Sequence, residues 1–494
     1  MSTRLIELIE NLKPCRIALI GDLMVDRYFY GEANRLSPDA PVPVLHYKRE
    51  DCRLGGAGRV AADLAALGAS VRVVSVIGSD DTGALLRRLL AETGAQCDGV
   101  LQTTDRPTTA KVRLVGLAQD RHPQQMMRLD YEATEPLSAE MCGRILDRLA
   151  VALDGADVLC IEDYNKGLLP PEVCKAAIDM ARRRNIPVLV DPARIEDYSK
   201  YSGASAITPN RTEAEVASGL PTQKPEQYQA CAERLLTTLD LDAAILTLDK
   251  HGAYLASRDG VRRWLKTKER NVYDVAGAGD MVLSVLAIAR ASGADWTDSL
   301  ALANVAGGLE VERFGSVPVT RQEITQELLS DAREQLGKQR PLHQLLIELQ
   351  RHRASGRKIV FTNGCFDLIH LGHVKYFQFA KHQGDLLVVG VNTDASIRRL
   401  KGDKRPIISE IDRLGVLEEL QSIDYLVPFE QDTPLELIRA IRPDVLVKGA
   451  DYADQEIVGA DLVRGWGGRV ALAPLIDGRS TSTVIQRILQ AYVS

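Results

Sequence analysis

The sequence lacks what would send a chain to a membrane, to nucleic acid or into an oxidising compartment. No apolar run reaches bilayer-spanning length. The start, Met1 to Arg16, mixes acids with apolar residues at helical spacing and has no signal-peptide core. Basic charge is not in excess: 61 Lys and Arg against 67 Asp and Glu leave a formal net charge of −6. Nucleic acid is therefore not an implied partner, and any anionic ligand must be held by local cations and helix ends. The eight cysteines (15, 52, 97, 142, 160, 174, 231 and 365) include no Cys-x-x-Cys pair. Their scatter fits neither a zinc site nor a disulfide framework and suggests a reducing cytoplasm. A cytoplasmic protein without zinc, redox cofactor or membrane partner is the expectation.

What is present is a globular composition, 45% hydrophobic and 26% charged, in a chain of 494 residues. That length exceeds one hydrophobic core and predicts two or three domains. Arg16 to Gly21 reads as a strand buried on both faces. It runs into Asp22 and Asp26, where the strand is expected to give way to a loop. Acids at the C-terminal edge of a parallel strand are placed to hold sugar hydroxyls, with a solvated turn as the plain alternative. Gly55 and Gly56 lead a helix ending near Gly68 and let the backbone approach a ligand closely.

Short apolar runs follow at 71–77, 158–161, 188–190, 206–207 and 244–248, each ending in a polar turn and then a helical pattern. Repeated strand–helix units predict a mostly parallel sheet covered on both faces. Lys111, Arg113 and Arg128 fall in a β-like section expected to form a small sheet or lid. Such cations commonly make a solvated face, but a phosphorylated substrate would turn them inward. Lys166 sits beside acids at the edge of a further strand. Asn210 and Glu213, in Asn210-Arg211-Thr212-Glu213, can reach a common magnesium-bound water network. Asn304 lies on a small-residue helix able to pack against a flat ring.

The heptapeptide Asp274-Val275-Ala276-Gly277-Ala278-Gly279-Asp280 precedes the apolar run 281–289. Its glycines allow backbone N–H groups to face one point at a helix N-terminus, which makes an anion hole. Asp280 in that turn is suited to take a proton from an attacking hydroxyl. By itself the heptapeptide equally describes a glycine turn with an acidic cap.

Taken in order, Gly-Asp, Gly-Gly, Asn-x-x-Glu and Asp-x-x-Gly-Ala-Gly-Asp resemble the ribokinase-like family of sugar kinases, over roughly residues 10 to 320. The resemblance implies that Asp280 deprotonates the sugar hydroxyl attacking the ATP γ-phosphate. The amides of Gly277, Ala278 and Gly279 would hold the transferring group, and Asn210, Arg211, Thr212, Glu213 and Asn304 would bind ATP with Mg2+. Asp22, Asp26, Gly55 and Gly56 would take the sugar. Phosphoryl transfer needs mainly positioning and charge stabilisation, and these residues offer both. The sequence departs from the family at Ala276, which replaces a threonine, at Arg59, which puts a cation where an asparagine is usual, and at Asp249, which replaces a glycine.

After Pro318 the pattern turns helical and charged through 321–340, Pro341 breaks it, and 342–353 reads as an amphipathic helix. This gives a kinase domain over 1–335, a helical linker over 336–358 and a second domain over 359–494. The second domain opens on a strand leading into Asn363-Gly364-Cys365-Phe366-Asp367-Leu368-Ile369-His370-Leu371-Gly372-His373. Two histidines three apart at a helix start share one side. A metal would need a third ligand of the right type, and none is near. Nucleotide phosphates suit a helix N-terminus better, with Gly372 allowing close approach. Asn392 and Asp394 end another strand, Lys381, Arg413 and Lys448 supply cations, and Ser480, Thr481 and Ser482 lead the last helix. A plain N-cap is the alternative for those hydroxyls.

Together these resemble the nucleotidyltransferases that carry a Gly-x-Phe-Asp-x-x-His-x-Gly-His signature and a Ser-Thr-Ser/Thr motif. The resemblance implies attack of a substrate phosphate on the α-phosphate of a nucleoside triphosphate. His370 and His373 would stabilise the developing charge, with no directly protein-bound metal. The fold expected is α/β in two domains: a ribokinase-like α/β sandwich with a small β lid, then a Rossmann-like nucleotidyltransferase. The whole chain is similar to the bacterial bifunctional heptose-7-phosphate kinases and heptose-1-phosphate adenylyltransferases, through 37–44, Leu-Lys-Gly-Asp at 400–403 and 446–452. That family implies phosphosugar and ATP substrates, ADP-heptose as product, and a homodimer formed through the lid. Lys111, Arg113, Arg128 and Lys166 would then hold the substrate's existing phosphate. Another phosphosugar joined to a CTP-dependent alditol-phosphate transferase, or a sugar-phosphate sensor with one inactive domain, are the other readings.

Overall fold

The computed structural model describes residues 2–117, 123–268, 277–312, 318–450, 457–474 and 490–491. The chain separates into two compact units, Thr3–Leu328 and Leu329–Ser494. No described helix is long and apolar enough to cross a membrane.

The first unit is built on strands β1 (Arg16–Gly21), β2 (Leu23–Leu36), β3 (Pro43–Gly56), β4 (Ser70–Gly78), β5 (Gln96–Thr103), β6 (Ala110–Leu117), β7 (Gln124–Tyr131), β8 (Val158–Glu162), β9 (Val188–Asp191), β10 (Ala206–Ile207), β11 (Ala243–Thr247), β12 (Ala253–Ser257) and β13 (Arg262–Leu265). Nine of these form one sheet in the order β13-β12-β11-β10-β9-β8-β1-β4-β5, parallel from β11 to β5. Alternate residues bury opposite faces. Ala18, Ile20, Leu159 and Ile161 pack with helices Ala139–Ala152, Pro171–Arg182 and Pro225–Thr238. Ile17, Leu19, Val158 and Cys160 are buried on the other side, where helices Ala57–Ala66 and Ala278–Ala291 lie. Both faces are dry, which explains the continuous apolar runs of these strands.

A separate four-stranded sheet, β3-β2-β6-β7, makes the lid. Its two 14-residue strands, β2 and β3, were expected as a loop around Asp26 and as a helix approach. Tertiary pairing with each other and with β6 makes them strands, so Asp26 lies within β2 and faces Lys111 across the ladder.

In the second unit β14 (Ile359–Gly364), β15 (Leu386–Asn392), β16 (Tyr425–Phe429), β17 (Val445–Gly449) and β18 (Arg469–Ala473) form a parallel sheet ordered β16-β15-β14-β17-β18. The strand order reverses at β14, and ligand crevices open at the carboxyl ends of strands at such a switch. Residues 336–358, expected as a linker, belong to this core instead. Helix Leu342–Ala354 buries Leu345 and Leu349 against Phe361 and Tyr425, and buried Arg340 donates to Glu348 at 2.8 Å. An amphipathic helix needs a surface for its apolar stripe, and this sheet supplies one.

Candidate functional site

In the first unit the parity of two strands and the start of one helix bring three acids together. Glu162 ends β8 and Asp191 ends β9, and they are partners across the parallel ladder. Both project to the face covered by helix Ala278–Ala291, whose first turn carries Asp280. One carboxylate oxygen from each of Glu162, Asp191 and Asp280 lies within 4.8 Å of the others. Gly277 caps that helix with a φ of 91°, a conformation that leaves little choice but glycine. Gly279 has Asp191 Oδ2 3.4 Å from where a Cβ would sit. Asp274, Val275 and Ala276 lie outside the described residues.

Burial pushes the Asp280 carboxyl up to about 7, with the Arg59 guanidinium and the Tyr164 hydroxyl holding it down against that rise. Glu162 and Asp191 are raised well above the ordinary carboxylate range, first by burial and then by neighbouring acids: Asp191 and Asp280 for Glu162, and Glu213 and Asp280 for Asp191. The site thus has oxygen donors for a hard cation and a carboxylate poised near neutrality.

Above it stands the polar face of the lid, where Asp26, Tyr28, Lys111, Arg113 and Arg128 share one side by strand parity. Lys111 Nζ sits 5.0 Å over the Tyr164 ring, and the Tyr164 hydroxyl donates to Asp280 Oδ1 at 3.3 Å. Burial lowers the Lys111 ammonium despite nearby Asp26, and Arg113, Arg128 and Lys166 add to the fall. These four cations therefore form one cluster. Arg113 pairs with Asp26, Arg128 with Asp130, and Lys166 with Glu132 at 2.7 Å.

Several expected ligand residues have structural work. Asp22, buried, accepts from the N–H groups of Tyr164 and Lys166 at 2.9 and 3.1 Å and so fixes the turn after β8. Burial and Asp163 push it up to about 6. Gly55 and Gly56 give room to the chain itself, since a Cβ would meet Asp26 Oδ2 at 2.7 Å or Asp22 O at 2.5 Å. Asn210 and Glu213 form a capping box on helix Arg211–Ser218, each accepting from the other's backbone N–H, at 3.0 and 2.8 Å. Thr212 is exposed on its first turn, and Asn304 donates to the Lys266 carbonyl at 3.1 Å. Arg211 ties down the turn at Asp249, whose φ of 51° explains the glycine usual there. Arg59 is no cation facing the sugar: it is buried against Asp63 and Glu310.

The acids missed in the sequence, Glu162 and Asp191, each stand one residue beyond an apolar run that was recognised. The strand-edge rule applied to Asp22 reaches them too. Tyr164 carried no such signal.

In the second unit His370 caps helix Leu371–Lys381 and His373 lies in its first turn, their rings stacked with centroids 4.0 Å apart. Both follow β14 at the switch point. Phe366 packs edge-on against His373 with centroids 5.6 Å apart, and Gly364 leaves space that a Cβ would take from the Phe366 ring. Burial, His370 and Lys401 push the His373 imidazole down to about 4, so it is neutral at physiological pH. Lys448, at the end of β17, reaches Asn363 Oδ1 at 2.5 Å. Gly372 is the second residue of the helix, between the two histidines.

Other expected nucleotide ligands are committed elsewhere. Lys381 is at the wrong edge: its Nζ bonds the Asp385 carbonyl and Asp424 at 2.7 and 2.6 Å, both just before their strands begin. Ten residues of helix separate it from the histidine edge, about 15 Å. Asp367, held below the ordinary range despite its burial, accepts from the N–H groups of Ile408 and Ile407 and from Arg405. Arg413, buried, donates to the Cys365 and Asn392 carbonyls and to Asp394. Asn392 donates to Ser396 at 3.0 Å. These side chains brace the loops of the site. Ser480, Thr481 and Ser482 lie outside the described residues.

With two separate sites in view, comparison with known proteins becomes specific. The bifunctional protein HldE of Citrifermentans bemidjiense is 46% identical over 483 residues, covering 98% of both chains. That of Geobacter sulfurreducens is 45% identical over 474 residues, covering 96% of each. This chain belongs to the bifunctional HldE family. Within it, residues 15–322 match the pfkB family carbohydrate kinases, and residues 361–483 match the cytidylyltransferase-like family. The chain is thus an enzyme with a carbohydrate kinase and a nucleotidyltransferase. The kinase half shares the ribokinase-like fold. It is similar to Arabidopsis thaliana ribokinase complexed with ribose and ATP (20% identical, TM-score 0.51, covering 64% of this chain and 99% of that one). It is also similar to phosphofructokinase-2 from Escherichia coli (17%, TM-score 0.54, covering 64% and 100%).

Proposed function

We propose that this HldE-family enzyme carries out two steps toward ADP-heptose, a precursor of the lipopolysaccharide inner core. The kinase half phosphorylates C1 of D-glycero-β-D-manno-heptose 7-phosphate with ATP. After removal of the 7-phosphate by a separate phosphatase, the second half joins AMP from ATP to the 1-phosphate and releases pyrophosphate. The observation that carries this reading is the cluster of Lys111, Arg113, Arg128 and Lys166, linked to Asp280 through Tyr164. Four cations gathered beside the base suit a sugar that already carries a phosphate.

In the first step Asp280 accepts the anomeric hydroxyl proton, and Tyr164 orients the carboxylate. The N–H groups of Gly277, Ala278 and Gly279 receive the transferring phosphoryl group at the helix N-terminus. Lys111 and its neighbours hold the 7-phosphate, anchoring the sugar so that its C1 meets Asp280. Glu162, Asp191 and Asp280 are oxygen donors that would hold a magnesium ion, which would supply neutralisation of the phosphate charge. In the second step His370 and the neutral His373, at the N-terminus of helix Leu371–Lys381, donate hydrogen bonds to the α-phosphate, and Lys448 supplies positive charge.

A homodimer formed through the lid fits the same reading. The lid's other face carries apolar side chains beside the Arg27–Glu50 ion pair, and Tyr47, Met127, Leu129 and Tyr131 on its strands are each more than a third exposed. Phosphorus NMR with heptose 7-phosphate and ATP tests the first step, with a new anomeric phosphate signal expected. Turnover of heptose 1-phosphate with ATP against CTP tests the second. Use of CTP with glycerol 3-phosphate, and not of ATP with the heptose, would overturn the assignment.

A further inference from the structure

We infer that a hard divalent cation, Mg2+ or Mn2+, binds the kinase half directly through Glu162 and Asp191, with Asp280 as the third oxygen donor, before any nucleotide arrives. The inference deepens the kinase reading and departs from the expectation that Asn210 and Glu213 place the ion. Those two side chains are occupied with each other's backbone N–H groups in a capping box. Glu213 flanks the cluster as a nearby charge on Asp191.

The geometry suits an ion. An octahedral cation with oxygens at about 2.1 Å sets neighbouring ligand oxygens about 3.0 Å apart and opposite ones about 4.2 Å apart. The three carboxylate oxygens, all within 4.8 Å of one another, need only a small inward adjustment. Their placement is rigid, because Glu162 and Asp191 are register partners at strand ends and Asp280 is held in the first turn of a buried helix. Gly21, beside Glu162 in the sheet, keeps the space open: a Cβ there would meet Glu162 Cβ at 2.7 Å.

A second observation points to a ligand. Glu162 is 1% exposed, and its Oε2 has no hydrogen-bond partner among the described residues. Asp191 spends Oδ1 on the Thr208 hydroxyl at 3.0 Å, while Oδ2 faces Gly279. Among the described residues no Lys or Arg forms an ion pair with any of the three; the Arg59 guanidinium acts on Asp280 from farther off, and neither Glu162 nor Asp191 has a cation among its main influences. Carboxylates gathered away from water are costly unless a cation joins them.

The test is Mn2+ binding to the full-length, nucleotide-free protein, read by electron paramagnetic resonance and by the Mn2+-dependent rise in melting temperature. Glu162→Gln is expected to weaken binding to the first-unit site at least tenfold and to abolish the rise for that unit. Without metal it should melt at or above the wild-type temperature, since one buried charge has been removed. Glu213→Gln should weaken binding less than threefold. Wild-type affinity in Glu162→Gln, or loss of binding on Glu213→Gln alone, would overturn the inference. The outcome is separable from the kinase assignment: ion binding without heptose phosphorylation would refute only the substrate, and phosphorylation without ion binding at Glu162 only the site.

Discussion

Replacing Arg59 by leucine tests whether the kinase half is held together at one buried charge cluster. Arg59 is 2% exposed and meets two carboxylates, Asp63 one helical turn along at 3.0 Å and Glu310 at the end of helix Trp296–Glu310. Asp63 and Glu310 are themselves buried. Leucine fills much of the volume but leaves two carboxylates facing each other without a cation. Breaking a buried pair from one side costs about 3–5 kcal/mol, because the stranded charge remains. In a unit of this size that lowers Tm by roughly 5–8 °C. Asp280 also loses the guanidinium that holds its carboxyl down, so the kinase rate at neutral pH should fall while adenylyl transfer is kept. The assay is thermal unfolding with both activities measured on the same preparation. Adding Asp63→Asn and Glu310→Gln to Arg59→Leu should recover most of the stability, since the cost lies in stranded charge and not in lost contacts. A loss under about 1 kcal/mol, or no recovery in the triple variant, would refute the reasoning.

Asp280→Asn should lower kinase turnover by about 10²–10⁴-fold, as for the loss of a general base, and leave adenylyl transfer unchanged; His373→Ala should do the reverse, and loss of both activities in either folded variant would contradict separate sites. Lys448→Ala should raise KM for ATP in adenylyl transfer, whereas Lys381→Ala, at the far edge of the sheet, should cost stability and leave KM within about twofold. His373 carries a pH signature. Its proton is bound by the unfolded chain below about pH 6.5 and by the folded protein only near 4. The unfolded state therefore holds more protons between those values, so stability is full above 6.5 and falls as pH drops toward 4. Denaturant unfolding of the second unit at pH 7 and 4.5 should show His373→Gln losing about 2 kcal/mol less than wild type over that interval. An equal loss would show that the imidazole is not desolvated.

Much of the architecture was legible from local pattern. Continuous apolar runs marked β1, β4, β8, β9 and β14 because strands covered on both faces admit little else. The turn at Gly277 and the paired histidines at 370 and 373 were legible because their chemistry depends on neighbours in sequence: an N-terminus, a glycine and a helical spacing. What the pattern misread is what depends on distant partners. The lid strands β2 and β3 exist because they pair with each other and with β6, and residues 342–354 are core because a sheet elsewhere needed covering.

The same division runs through the sites. By itself the sequence determined that two glycine-marked helix starts able to receive an anion are present, because backbone N–H groups at a helix start favour anions wherever the helix lies. Only the tertiary structure decided which side chains reach those turns. It spent Asn210 and Glu213 on a cap, turned Arg59 inward and sent Lys381 to the opposite edge. It brought up Glu162, Asp191 and Tyr164 instead, because strand parity and ladder register, which no single segment carries, set which side chains share a point in space.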